Sequence, residues 1–483
     1  MSEQTHRLRS NVITSLDAAA QSFGFVGPVF VVAFLTSFVA MGAGLATPLA
    51  ALISGLASIA VGYVIAQFAI RHKAAGSIYT YIARTFGPLH GFMGGWIYMF
   101  AVLMLTMAIV AGVAGWTSSF LADFVGINIP WLVILLIELI ILFLLSYFDV
   151  RYSTRVQLTI VTISVLVVLA LAFTIIFIGG AEGNMIAPFL PGTADSLGGL
   201  AFGLIFGMLL YTGYESAAVL AEEAKDNKTA IPMAVIGSAV LATVFYVIVT
   251  YAYAIGYGTI NASAWAQEEA VLFAMGAMYW GEWSIPLLFA MAIIDAFAVA
   301  MACLNTVARV VFAMARDGAL PRILGRTQAT YQTPHMANGA VLILGLLFAL
   351  LFIPIAGNVQ TSWDLQFGFL AGMGAIAVEI IYIYVAIAAI FYFKRVMKSQ
   401  FSFFKHLVVP IIAIIAPAAA LYGSLLPQGG LLNYMPYVVL IWILLGLVII
   451  SRLNHFQPDL VAKLGRDLGV EDIETVATTA KAP

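Results

Sequence analysis

The sequence predicts an all-α integral membrane protein with twelve transmembrane helices, and three observations carry that prediction. The 483 residues are 63% hydrophobic and only 9% charged, with mean hydropathy +1.04, and no water-facing surface can be built from such a composition. Twelve apolar stretches have about the 20 residues that a helix needs to cross roughly 30 Å of hydrocarbon. The 21 Lys and Arg fall only in alternate loops, the pattern expected when one set of loops stays in the cytoplasm. Missing or inventing one span would move every later basic cluster to the wrong side. The same composition excludes other classes: a formal charge of -2 offers nothing global to nucleic acid, and the single cysteine, Cys303, permits no intramolecular disulfide. Six scattered histidines supply no pair at metal-ligand spacing.

The elements follow in order. Residues 1–13, with Arg7 and Arg9, form a cytoplasmic N-terminal segment. Spans 14–41 and 47–70 come next, and the first runs too long for the apolar core of a cleavable signal. Arg71, Lys73 and Arg84 precede span 91–116, and Arg151 and Arg155 separate span 129–148 from span 156–180. Spans 197–221 and 231–258 flank Lys225 and Lys228, and loop 259–282, with Trp265, Glu268, Glu269 and Trp280, is long enough for a short outer helix. Its aromatics read as markers of the headgroup boundary. Asn261-Ala262-Ser263 there is a glycosylation-type triplet, relevant only in a eukaryotic secretory pathway. Span 283–308 leads into Arg309, Arg316, Arg322 and Arg326, and spans 336–357 and 365–393 lead into Lys394, Arg395, Lys398 and Lys405. Spans 406–426 and 434–451 complete the set, ahead of Arg452, Lys463, Arg466 and Lys481. The tail 453–483 places Leu460, Val461, Leu464 and Leu468 at helical spacing, so it either lies along the cytoplasmic surface or frays.

Two spans are predicted to be discontinuous. In the first, Ser22-Phe23-Gly24-Phe25-Val26-Gly27-Pro28 has two glycines and then a proline, which lacks a donor and disfavours helix in the residue before it. In the sixth, Leu210-Tyr211-Thr212-Gly213-Tyr214-Glu215 places a carboxyl, hydroxylated side chains and a glycine at membrane depth. Spans one and six open consecutive groups of five, and interrupted segments in matching positions are the sequence pointer to an inverted-repeat transporter with its solute at the midplane. Half-helix N-termini offer N–H groups to a carboxylate, and freed carbonyls accept from an ammonium. The plainer alternatives are a proline kink in span one and a packing contact at Gly213.

These residues resemble the amino acid–polyamine–organocation superfamily of transporters. Gly213-Tyr214-Glu215-Ser216, continuing through Glu222-Glu223-Ala224-Lys225 to Ile231-Pro232-Met233-Ala234, is similar to its sixth-helix signature. Ala308-Arg309 through Ala315-Arg316-Asp317-Gly318-Ala319-Leu320-Pro321, then Thr333-Pro334, resembles the segment after its eighth helix. Ala75-Gly76-Ser77-Ile78-Tyr79 with Phe86-Gly87-Pro88 resembles the element before its third. The resemblance covers about residues 15–400. It implies a five-plus-five inverted repeat (14–180 and 197–394), appended helices 11 and 12 (405–452), and alternating access. It also makes Glu215 similar to a glutamate that takes part in proton-dependent gating in some members. Span one departs from the usual Gly-(Ser/Ala/Thr)-Gly run, so its carboxylate-binding amides cannot be assigned singly. Ser164 stands where proton-coupled members often carry a lysine.

The candidate substrate-binding residues are thus Ser22, Phe23, Gly24, Phe25, Val26, Gly27, Leu210, Tyr211, Thr212, Gly213 and Cys303, with Glu215, Asp295 and Ser164 as coupling or gating candidates. Asp295 shares a helical face with Val299, Ala302, Cys303 and Thr306, and is a candidate contact for a substrate ammonium or a proton site. Glu138 and Glu379 are expected to be satisfied by neighbouring helices, Tyr382 being the sequence neighbour of Glu379. Asn305, Thr306 and Ser164 are candidate oxygen donors to sodium, while Arg309, Arg316 and Asp317 serve either topology or gate ion pairs. The expected function is secondary transport of amino acids or related organic amines in the cytoplasmic membrane, both termini cytoplasmic, with a proton or sodium as candidate co-ion. No cofactor is expected, and the chain has no Gly-x-x-x-x-Gly-Lys-(Ser/Thr) phosphate loop. The alternative is a cation channel or potassium-type ion pathway, since intramembrane acids and exposed carbonyls also suit cations. A membrane enzyme would need a nucleophile–base or metal cluster at depth, which the sequence does not offer.

Overall fold

A computed structural model describes residues 8, 11–148, 150–194, 196–260, 262–360, 362–426, 430–462 and 464. Asn261, Leu468, Arg7, Arg9, Lys463, Arg466 and Lys481 lie outside the described residues, as do the side chains of Arg151 and Arg155. The described chain is all helical: α1 Ser15–Val26, α2 Pro28–Phe34, α3 Thr36–Ala43, α4 Thr47–Ala69, α5 Ile78–Phe86, α6 Pro88–Phe120, α7 Trp131–Tyr147, α8 Val150–Ile178 and α9 Leu197–Leu209. It continues through α10 Asn227–Tyr257, α11 Ala262–Gln267, α12 Val271–Trp280, α13 Ser284–Arg316, α14 His335–Ala356, α15 Ser362–Arg395, α16 Val409–Ser424, α17 Met435–Phe456 and α18 Pro458–Val461. Eleven helical stretches among the described residues are long and apolar enough to cross a membrane, and α7, at the position of the fourth predicted span, is a shorter apolar helix of 17 residues.

Local chemistry fixes the starts of these helices. Thr14 and Asp17 form a reciprocal capping box on α1, and Ser196 accepts from the Gly199 amide at the start of α9. Helix α13 runs two turns past the predicted end at 308, because Arg309 and Arg316, which hydropathy reads as a boundary, are neutralised by Glu223 and Glu222. Helix α5, which hydropathy alone did not register, packs Ile82 and Ala83 onto Gly94 and Gly91 of α6.

The innermost helices are α6, in which every residue from Gly91 to Trp116 is buried, and the two interrupted spans α1–α3 and α9. Small residues let the two interrupted spans touch: a Cβ on Gly42 would lie 2.4 Å from the Gly199 carbonyl oxygen and 2.6 Å from the Gly203 nitrogen. Peripheral helices keep an apolar outer face, as in Leu347 and Leu351 of α14 and Ile441 and Leu444 of α17, which suits contact with lipid tails. The loop after span seven holds two helices, α11 and α12. Trp265 is a correction to the headgroup expectation: it is fully buried, donates to Thr36 Oγ1 at 3.4 Å and stacks on Tyr257, because its N–H finds a partner inside the protein. In the tail, Leu460 reaches Gly318, and Val461 and Leu464 are buried, so this stretch docks on the loop after α13.

Candidate functional site

Helix α1 breaks because of its own sequence. Pro28 has no N–H to give to the Gly24 carbonyl, and Gly27 turns left-handed (φ 56°, ψ 59°). A side chain there would collide with Val299 Cγ2, 2.1 Å from its Cβ. The next two amides, of Val29 and Phe30, which would have served the Phe25 and Val26 carbonyls, instead donate to Asp295 Oδ2 at 2.9 and 2.8 Å. Asp295 thus occupies the half-helix amides that the sequence reading reserved for a solute carboxylate. The Val26 carbonyl accepts from Tyr246 Oη at 3.2 Å.

Helix α9 ends at Leu209; residues 210–213 form turns, Gly213 adopts φ 112°, and a 3-10 helix runs Tyr214–Leu220. The two breaks touch. The Phe25 ring covers Gly213, whose Cβ would lie 2.4 Å from it. Ser22 Oγ donates to the Tyr214 carbonyl at 2.6 Å and accepts from the Ala217 amide at 3.1 Å, while Ser216 Oγ donates to the Gln21 carbonyl at 3.3 Å. Beside this junction the buried Glu215 accepts from the Gly213 amide (3.0 Å), Tyr382 Oη (3.0 Å) and Tyr98 Oη (3.4 Å). Every one of those contacts is a donor, so the carboxyl is well partnered despite its depth.

A cavity of about 30 Å³, room for little more than a water, lies between the breaks. Phe25, Val26, Phe30, Thr212, Val299 and Phe367 are among its lining residues. Beyond it, toward the loops that hold no Lys or Arg, lies a larger vestibule of about 370 Å³ lined by Asp123, Glu269, Asp364, Ser118, Asn128 and Trp363. Rings separate the two spaces: Trp116 meets Trp363 at 5.5 Å, Phe367 at 4.8 Å and Phe30 at 5.5 Å, and stacks on Phe34 at 3.7 Å.

The opposite end, which carries the basic loops, is fastened by polar contacts. Arg309 Nε meets Glu223 Oε1 at 2.7 Å with both side chains buried, and Arg316 meets Glu222 at 3.1 Å. Tyr79 Oη donates to Asp317 at 2.7 Å. The N-terminal segment is strapped across: Val12 and Ile13 amides donate to the Glu223 carbonyl, and the Lys225 amide donates to the Ile13 carbonyl at 2.9 Å.

Of the residues singled out in the sequence, Phe25, Val26 and Thr212 line the cavity; Ser22, Gly27, Gly213 and Glu215 build the junction beside it. Gly24 is buried in the last turn of α1 and Phe23 is half-buried. Leu210 is buried in the turn, and Tyr211 points away, donating to the Ala51 carbonyl of α4 at 2.7 Å. Cys303 is buried and is not among the residues lining the cavity. The sodium triad is not assembled: Ser164 Oγ contacts Met291 Sδ, about 22 Å along α13 from Thr306, which instead accepts from Gln21. Tyr382 turns to Glu215 rather than to Glu379, and both carboxyl oxygens of the buried Glu138 lack a partner among the described residues. Sequence reasoning missed the ring plug and the three vestibule carboxylates; loops that hold acids and no bases were the available signal for the latter.

Paired helix breaks beside a small cavity, inside a bundle of membrane-length helices, are the architecture of a multi-pass membrane protein. The chain belongs to the amino acid permease family, whose profile matches residues 13–449, within the amino acid–polyamine–organocation superfamily. It is similar to the methylthioribose transporter of Bacillus subtilis (strain 168), 24% identical over 91% of this chain and 92% of the relative. It is also similar to the branched-chain amino acid permease of the same organism (25% identity; 86% of this chain, 87% of the relative) and to the low-affinity putrescine importer of Escherichia coli (strain K12) (24%; 79% and 80%). The family is one of transporters, so this chain is an amino acid or amine transporter and moves solute rather than transforming it.

Proposed function

We propose that this chain is a secondary active transporter of amino acids or related organic amines, with its solute held between the interrupted first and sixth spans. The observation that carries the reading is the contact of the two breaks, Phe25 on Gly213 and Ser22 on Tyr214, beside a small cavity. The relatives named above carry a thio-sugar, branched-chain amino acids and a diamine, which supports a small organic solute. Transport proceeds by alternating access: the five-helix groups 14–180 and 197–394 rock about the breaks, opening the ring plug and the polar latch in turn. The basic loops and both termini face the cytoplasm, and the acid-lined vestibule faces outward. Counterflow in proteoliposomes separates this carrier from a channel. Unlabelled solute inside should accelerate uptake of labelled amino acid or amine; uptake that neither saturates nor responds to the trans solute would contradict the reading.

Glu215 is the proton-responsive group in this proposal, because it ties the sixth-span break to Tyr98 of α6 and Tyr382 of α15, and gain or loss of its proton changes which of those donors it can satisfy. Glu215→Gln should flatten the pH dependence of uptake. An unchanged pH profile would remove Glu215 from the coupling mechanism.

A further inference from the structure

We propose that the solute is a primary amine without a free carboxylate, its ammonium received by Asp295 Oδ1 and by the Gly24 and Phe25 carbonyls; this narrows the carrier reading above and rests on it. The break in α1 creates donors and acceptors together. Its donors are already used: Val29 and Phe30 amides both give to Asp295 Oδ2, so a built-in carboxylate stands where the carboxylate of an amino acid would need to bind. A second carboxylate at that position would meet like charge in an apolar surround. The acceptors remain. Gly24 has lost its i+4 donor to Pro28, and Phe25 has lost the Val29 amide to Asp295. Asp295 Oδ1, in a fully buried side chain, has no hydrogen-bond partner among the described residues.

Among the described residues, no basic side chain pairs with that carboxyl. Arg309, the first base along α13, is about 21 Å away by helical rise and is paired with Glu223. The unused Oδ1 is therefore left for a cation that comes with the solute. The approach agrees: Asp123, Glu269 and Asp364 line the vestibule, which concentrates cations and gives no advantage to a zwitterion or an anion. Asp295 and Gly24 lie outside the wall of the small cavity, but their neighbours Val299, Phe25 and Phe30 form it together with Phe367 and Leu105, so when the breaks part to admit a solute the group beside the ammonium meets apolar side chains and is alkyl or aryl.

Matched pairs that differ by one carboxylate test this on the purified full-length chain: isoamylamine against leucine, phenethylamine against phenylalanine, cadaverine against lysine. Thermal-shift titration should find the better amine half-saturating at a concentration at least ~10-fold below its parent amino acid. Asp295→Asn should abolish the amine response. Equal or tighter binding of the amino acids would overturn the proposal and leave the carrier reading intact. So would stabilisation by sodium chloride alone, lost in Asp295→Asn, which would make Oδ1 an inorganic cation site. If Asp295→Asn does not fold, the matched pairs on the native chain still decide. Amines that bind with the predicted preference, with no counterflow of labelled cadaverine, would sustain the ligand class while removing the carrier reading.

Discussion

Replacing Gly213 by alanine should nearly abolish transport, and at this position one methyl group is enough. The residue sits at φ 112°, where side chains other than glycine's are strained, and the added Cβ would lie 2.4 Å from the Phe25 ring and 2.8 Å from its Cβ. Strain and overpacking each amount to about 1–3 kcal/mol, and relief requires the first-span break to move off the sixth. Transport should fall by at least ~10-fold, since a displacement of about an ångström in a preorganised site has effects of that order or larger. Gly237→Ala is the control: nothing lies within 4 Å of its Cβ position on α10, so it should transport normally. Uptake rate per folded protein, with apparent melting temperature alongside, is the measurement. A Gly213→Ala protein that transports like Gly237→Ala would show that contact between the breaks is incidental.

The second large effect is expected at the basic end. Arg309 and Glu223 have side-chain exposures of 2% and 6%, and Arg309 also donates to the Asn305 carbonyl at 3.1 Å. Removing one member leaves a buried charge without its counterpart, at a cost of about 3–5 kcal/mol. Arg309→Ala should therefore lower the apparent melting temperature strongly and free the Glu223 segment, to which Val12 and Ile13 are strapped. Arg316→Ala breaks a somewhat less buried pair, with side-chain exposures of 10% and 12%, and should cost less than Arg309→Ala. The double substitution Arg309→Met with Glu223→Leu should recover most of the stability lost by Arg309→Ala, because neither charge then remains buried. Equal effects of Arg309→Ala and Arg316→Ala would refute the ranking.

The sequence made the all-helical, membrane-length architecture and the turns at Gly27 and Gly213 legible because each leaves a one-dimensional trace. Hydrocarbon thickness sets span length, loop charge sets alternation, and Gly27-Pro28 and Gly213 mark where backbone helix stops. What it concealed is direction. Helices such as α6 are apolar all round, so periodicity names no face, and nothing local shows that Tyr211 turns to Ala51 or that Trp265 turns to Thr36. The capping of α2 by Asp295 was hidden for the same reason: donor and acceptor are 265 and 266 residues apart. A carboxyl such as Asp295 is costly at membrane depth, and only the fold shows which backbone groups compensate it. Helix α13 illustrates the reverse error, since Arg309 reads as a boundary until Glu223 is placed beside it.

Alternating exposure of the junction is the central claim, and a single thiol reads it directly. Cys303 is the chain's one cysteine, so Thr212→Cys in a Cys303→Ser background puts one reporter in the cavity wall. A membrane-impermeant thiol reagent should label that reporter from the vestibule side and, in separate vesicles, from the basic side, with transported solute slowing both. Cross-linking residues 222 and 316 should abolish labelling from the basic side alone. Labelling from one side only, or labelling from the basic side that persists with the cross-link closed, would contradict the account.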